Sequence, residues 1–178
     1  YDVFSNLWKM NNQNAKIPKL AIFDFDGTLT LRDTTILFIF HCAGIWRGSL
    51  YFFLNVPFIL MGIWGWMDWK SVKERIFVSA FGNSHVNQLQ NSGDDFSVNK
   101  IPRILNPTVY HEMKKLQANG FEVALLTASC SVWLCKWCEI ENVKLLSTEL
   151  EIVDDVYTGK IQGENCFGFE KVNKLRSV

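Results

Sequence analysis

Two aspartates, Asp24 and Asp26, close the apolar run Ala21-Ile22-Phe23 in the stretch AIFDFDGTLT, and Gly27-Thr28 turns the chain directly after them. Along an extended strand residues i and i+2 point to the same side, so the two carboxylates emerge together where the strand ends. Paired carboxylates so placed can share a displacement: one attacks an electrophile while the other gives the leaving group a proton. Their mutual repulsion calls for a cation beside them, and a hard, all-oxygen donor set favours Mg²⁺. Asp-x-Asp by itself equally describes a strand end whose acids are solvated. The longer string DFDGTLT is far more specific.

Two later stretches carry residues of matching chemistry. VALLTAS is an apolar run that ends on Thr127, and GENCFGFEKV contains Lys171. Taken singly, Thr127 reads as a cap for the next helix and Lys171 as a solvated charge. Cys135-Lys136-Trp137-Cys138 is a lone CxxC with His41, His85 and His111 far away in sequence, so thiols on a helix are favoured over a zinc site. Five cysteines without a regular framework fit a reducing compartment.

The elements that must position these groups follow from periodicity. Residues 19–25 read as a strand apolar enough to be buried on both faces, and FEVALLTAS (121–129) as a second. Between them the pattern is helical from about 33 to 82, with an amphipathic helix over 69–82 that carries Val72, Ile76 and Phe77 on one side. Residues 83–100 are polar, with a loop expected at Ser92-Gly93-Asp94-Asp95. Pro107 opens another helix that stops at Asn119-Gly120. SVWLCKWCEIENV reads as a helix, and a β-hairpin turns at Asp154-Asp155. This alternation argues an α/β domain with a parallel sheet. A net charge of zero over 178 residues gives no broad basic surface, so no nucleic acid is expected as a partner. YDVFSNLWKM lacks the basic start and apolar core of a signal peptide, which fits a cytoplasmic setting.

DFDGTLT resembles the first motif of the haloacid dehalogenase superfamily of phosphatases, VALLTAS resembles its second and GENCFGFEKV its third. The tract STELEIVDDVYTGKIQGENCFGFEKVNKL is similar to the phosphoserine-phosphatase-like branch, subfamily IB, and the match runs from about Lys19 to the end of the chain. The resemblance implies a Rossmann-like parallel sheet core (19–32 and 106–178) with an inserted all-helical cap (33–105), after an N-terminal arm (1–18). It implies that Asp24 is the nucleophile that forms an aspartyl-phosphate and that Asp26 is the acid/base. Mg²⁺ would sit on the Asp24 side chain and the Asp26 backbone carbonyl. Thr127 would bond a phosphoryl oxygen, Lys171 would neutralise the phosphate, and Thr28 and Ser129 join them as substrate-binding candidates. Asp33 and Arg75 fall where substrate amine and carboxylate contacts lie in phosphoserine phosphatases. A fourth, acidic motif would complete the metal site. It is expected beyond Val178, with the C-terminal part of the core. Asp26 and the subfamily tract argue against a dehalogenase.

One tract stands apart. GSLYFFLNVPFILMGIWGWM (48–67) has no charged side chain and follows the uncharged TTILFIFHCAGIW, with Arg47 between them. A helical hairpin dipping into a membrane surface, with Trp64, Trp66 and Trp69 near its rim, is one reading. A buried cap core and a homodimer face are the others. The resemblance and this tract together imply a small-molecule or a lipid phosphate monoester as the expected substrate. A non-catalytic binding module is the competing class.

Overall fold

The computed structural model describes residues 19–163, so the expected arm at 1–18 and Lys171 lie outside the described residues. β1 (Leu20–Phe23) pairs in parallel with β3 (Glu122–Cys130), aligning Phe23 with Leu125. β3 pairs in parallel with β4 (Lys144–Val153), which turns back antiparallel into β5 (Val156–Gln162). β2 (Ser84–His85) adds to β5 and completes the order β1-β3-β4-β5-β2. The insert, expected to be helical throughout, therefore also supplies a short strand. At the hairpin, Asp154 and Asp155 both take positive φ (50° and 61°), the left-handed pair that a two-residue hairpin loop requires.

Val123, Ala124, Leu125 and Leu126 of β3 are buried in succession, as a central parallel strand should be. β1 departs from expectation. Ala21 and Phe23 pack against the core on one face, whereas Leu20 and Ile22 on the other face stay exposed instead of being buried.

Among the described residues five α-helices pack with these strands: α1 (Thr34–Ile63), α2 (Trp69–Phe81), α3 (Val86–Asn99), α4 (Pro107–Ala118) and α5 (Cys135–Glu141). Asp33, Asp68 and Asn106 cap α1, α2 and α4, each side chain accepting a first-turn N–H. α3 overturns the loop expected at 92–95. Its Gly93 lies so close to residue 132 that a Cβ would come within 2.0 Å of the Val132 carbonyl oxygen. The glycine serves close packing, not a turn. Nearby polar side chains are satisfied along the helix, Gln90 donating to Asp94 at 3.2 Å and Asn99 to Asp95 at 2.8 Å.

α1 folds back on itself at Gly44, whose φ of 73° leaves the helical region. The rings of Phe40 and Phe52 stack at 5.7 Å, whereas twelve residues of straight helix would part them by about 18 Å. The short leg carries Phe38 into an aromatic core, where it stacks on Trp133 at 4.8 Å beside Phe77, Phe81 and Phe96. The long leg is largely exposed, and so is the turn after it: Trp46 is 89% exposed and Trp66 73%. Among the described residues α1 alone is long and apolar enough to cross a membrane by length and composition, and the bend at Gly44 divides that length.

Candidate active site

The parallel pairing of β1 with β3 brings the ends of both strands together. Beyond β1 the chain buries Phe25 completely and turns there, with Thr28 and Thr30 N–H groups both donating to the Phe25 carbonyl. Asp24 and Asp26 flank that anchor. At the end of β3, Thr127 and Ser129 are buried, and Ser129 N–H donates to Thr127 Oγ1 at 3.0 Å.

Asp26 is held from two sides. Ser129 Oγ donates to Oδ2 at 2.5 Å, while the N–H and Oγ1 of Thr34 donate to Oδ1 at 2.6 and 2.7 Å. Thr34 is fixed in turn by Trp133, whose Nε1–H donates to its Oγ1 at 3.2 Å. Burial holds the Asp26 carboxyl above its ordinary value, against the lowering effect of the Ser129 and Thr34 hydrogen bonds. Such a group keeps a proton more readily than a solvated aspartate, as a general acid must.

A cavity of about 530 Å³ opens over these groups, lined by Asp24, Asp26, Thr127 and Ser129 on the strand side. α1 and α2 form its other wall. From α2, Lys73 reaches across and donates Nζ–H to the Ala128 carbonyl, with Nζ also 5.4 Å from the centroid of the Phe77 ring. The donors offered by Asp24 and by the Asp26 backbone carbonyl are oxygens, the kind Mg²⁺ takes. Among the described residues no group of three or more His, Cys, Asp or Glu forms a metal cluster.

A family model of haloacid dehalogenase-like hydrolases matches residues 21–178. The chain belongs to that family. Protein CicA of Caulobacter vibrioides is 28% identical over 171 residues, covering 95% of this chain and 76% of its own length. Among solved structures, a protein of unknown function from Bordetella pertussis Tohama I superposes with a TM-score of 0.76 at 22% identity, over 90% of this chain and 73% of that one. A substrate-bound phosphoserine phosphatase superposes with a TM-score of 0.58 at 19% identity, over 92% of this chain and 74% of that one. These likenesses establish the haloacid dehalogenase-like α/β fold.

On this hydrolase scaffold, Asp24, Asp26, Thr127 and Ser129 line one cavity. Asp33 reaches the cavity too, but its Oδ1 accepts from Ile36 N–H at 3.0 Å as the cap of α1. Thr28 sits in the turn after Asp26 and is not part of the lining. Arg75 is not brought to the cavity. It lies in a separate groove, its guanidinium 3.7 Å from the centroid of the Phe58 ring. The reason is helical phase: residues two apart on a helix point to nearly opposite sides. On α2 it is Lys73 that lines the cavity shared with the carboxylates.

Sequence reasoning passed over Lys73, Thr34 and Trp133. Lys73 lies three and four residues before Ile76 and Phe77, a lone charge on the apolar face, and that placement was its signal. Thr34 follows the Asp33 cap directly. Nothing local marks Trp133 as a partner for it.

Proposed function

We propose that this protein hydrolyses phosphate monoesters through an aspartyl-phosphate on Asp24. The observation that carries the reading is Asp26, partly buried and oriented by Thr34 and Ser129 beside Asp24 at the strand ends. An Asp24 oxygen attacks phosphorus as the bond to the alcohol oxygen breaks, and Asp26 gives that oxygen its proton. Asp26, now ionised, takes a proton from a water that attacks the aspartyl-phosphate. The Asp24–phosphorus bond breaks, and inorganic phosphate leaves with Asp24 ionised and Asp26 protonated as at the start. Thr127 donates to a phosphoryl oxygen and Lys73 supplies positive charge from α2. Lys171, outside the described residues, keeps the role the family resemblance gives it. Mg²⁺, held by the Asp24 carboxylate and the Asp26 backbone carbonyl, would offset negative charge on the phosphoryl group. Preorganised positive charge supplies most of the catalysis in such transfers.

Phosphate release from p-nitrophenyl phosphate and phosphoserine, with and without Mg²⁺ and beside Asp24→Asn, tests the reading. Activity that needs Mg²⁺ and falls on the order of 10³-fold or more in the variant is expected. A folded protein inert on every ester would leave the binding-module alternative in its place.

A second reading concerns the tract 48–67, which we propose contacts a membrane surface. Phe53 is 75% exposed, and Trp64 and Trp66 pack edge to face on the outside of the molecule. Exposed tryptophans beside an apolar helix suit a lipid–water boundary. Co-sedimentation with phospholipid vesicles, lost in Trp66→Ser, is the expected result. A concentration-dependent dimer without vesicle binding would assign the face to a second copy of the chain.

A further inference from the structure

We infer that the alcohol released at this site is apolar, so that the substrate is a phosphate monoester of an alkyl- or prenyl-type alcohol whose chain lies between α1 and α2. The inference rests on the phosphatase reading above and adds the class of leaving group.

The cavity is divided by chemistry. Its carboxylates and hydroxyls gather at the strand ends, while the opposite wall is Ile36, Ile39, Phe52, Ile59, Val72 and Ile76. The remaining polar lining residues are all turned toward the strand ends or the backbone. Thr35 Oγ1 lies 3.3 Å from Ser129 Oγ, Asp33 caps α1, and Lys73 donates to the Ala128 carbonyl. Among the described residues, a charged or polyhydroxylated alcohol would therefore find few partners on the far wall, and burying polar groups without partners is costly. An apolar chain gains on the same wall by leaving water.

Size agrees: about 530 Å³ lies well within the range of small-molecule sites and exceeds what a phosphoryl group alone occupies. The wall also continues outward. Trp69 lines the cavity and is itself 53% exposed, so a chain longer than the cavity would emerge along an aromatic surface.

The test is a homologous series of alkyl phosphates, ethyl to decyl, kept below their aggregation concentrations and assayed on the full chain with Mg²⁺. kcat/KM should rise about three- to fourfold per methylene until the wall is covered, with phosphoserine and glycerol phosphate near the bottom. Affinities of the matching alkylphosphonates, followed by tryptophan fluorescence, read the same slope without turnover. Ile36→Gln and Ile76→Gln should flatten the slope. Ile45→Ser, on the exposed surface outside the cavity, should not.

A flat series, or a preference for phosphoserine, overturns the inference and leaves the phosphatase reading standing. No release from any ester while phosphonate affinity still climbs with chain length keeps the apolar pocket and sinks the catalytic reading. A slope that responds to Ile45→Ser but not to Ile36→Gln places the chain outside the cavity and also overturns it. A long-chain ester offered as monomers and in phosphatidylcholine vesicles separates a free amphiphile from a bilayer source, and turnover in either form supports an apolar alcohol.

Discussion

Asp26, at the strand ends, accepts three hydrogen bonds of 2.5–2.7 Å, and one of its donors, Thr34, is itself pinned by Trp133. Across the same cavity, the wall built by α1 and α2 presents mostly aliphatic and aromatic side chains, with Lys73 as its one cation among the described residues. One side is specified by directional bonds that leave little freedom in where a carboxylate points. The other is specified by shape and solvent exclusion, which tolerate exchange among apolar residues of similar volume. Chemistry and substrate choice are therefore carried by different kinds of force. Changes to the two sides should differ in kind as well as in size.

The largest effect is expected on the bonded side. Asp26→Asn should lower kcat on the order of 10²- to 10⁴-fold while circular dichroism remains native. A change of only a few-fold would mean that Asp26 positions groups without transferring a proton. Trp133 ties the sides together through its bond to Thr34 and its stack on Phe38. Trp133→Ala should cost about 3–5 kcal/mol in urea unfolding and reduce turnover as well. Unchanged turnover in the folded variant would uncouple the core from the site.

Lys73→Met should lower kcat/KM roughly tenfold, mostly through KM, if the cation acts on a bound phosphate. Arg75→Met serves as its counterpart, and a larger loss there would reverse which face of α2 meets the substrate. The smallest effect belongs to Asp68. Bonds from Ser71 hold its carboxyl below the ordinary value. The folded state thus binds fewer protons than the unfolded one, and this stabilisation is present above the unfolded pKa and lost as pH falls through the folded pKa. The Tm gap between the native protein and Asp68→Ala should be measurable at neutral pH and close in acid.

Legibility in the sequence tracked the same division. Asp24, Asp26, Thr127 and Ser129 could be read because a strand's period of two and a turn after it fix which side chains emerge together. The Asp154-Asp155 hairpin announced itself by alternation on both sides. Arg75 was taken from the family resemblance and Lys73 was passed over, and helical phase, which turns on an offset of one or two residues, sets them on different faces of α2. Ser92-Gly93-Asp94-Asp95 has the makeup of a turn, yet Gly93 is needed for contact with Val132, distant in the chain. A helical hairpin was expected from the two apolar stretches around Arg47, and the structure bends at Gly44 and stacks Phe40 on Phe52.

One contact in the hairpin sets a tolerance for everything above it. α2 lies directly on β5: a Cβ at Gly159 would stand 2.5 Å from Val78 Cα, and Ile161 N–H donates to Glu74 at 3.0 Å. Because sheet faces alternate, a slip of β5 by one residue would bring Thr158 or Lys160 under α2 in place of the glycine. The helix would be lifted, and Lys73 with it. The β4–β5 pairing thus works as a gauge block, and the reach of the cation over the carboxylates is calibrated by a count of residues in a strand that never touches the cavity.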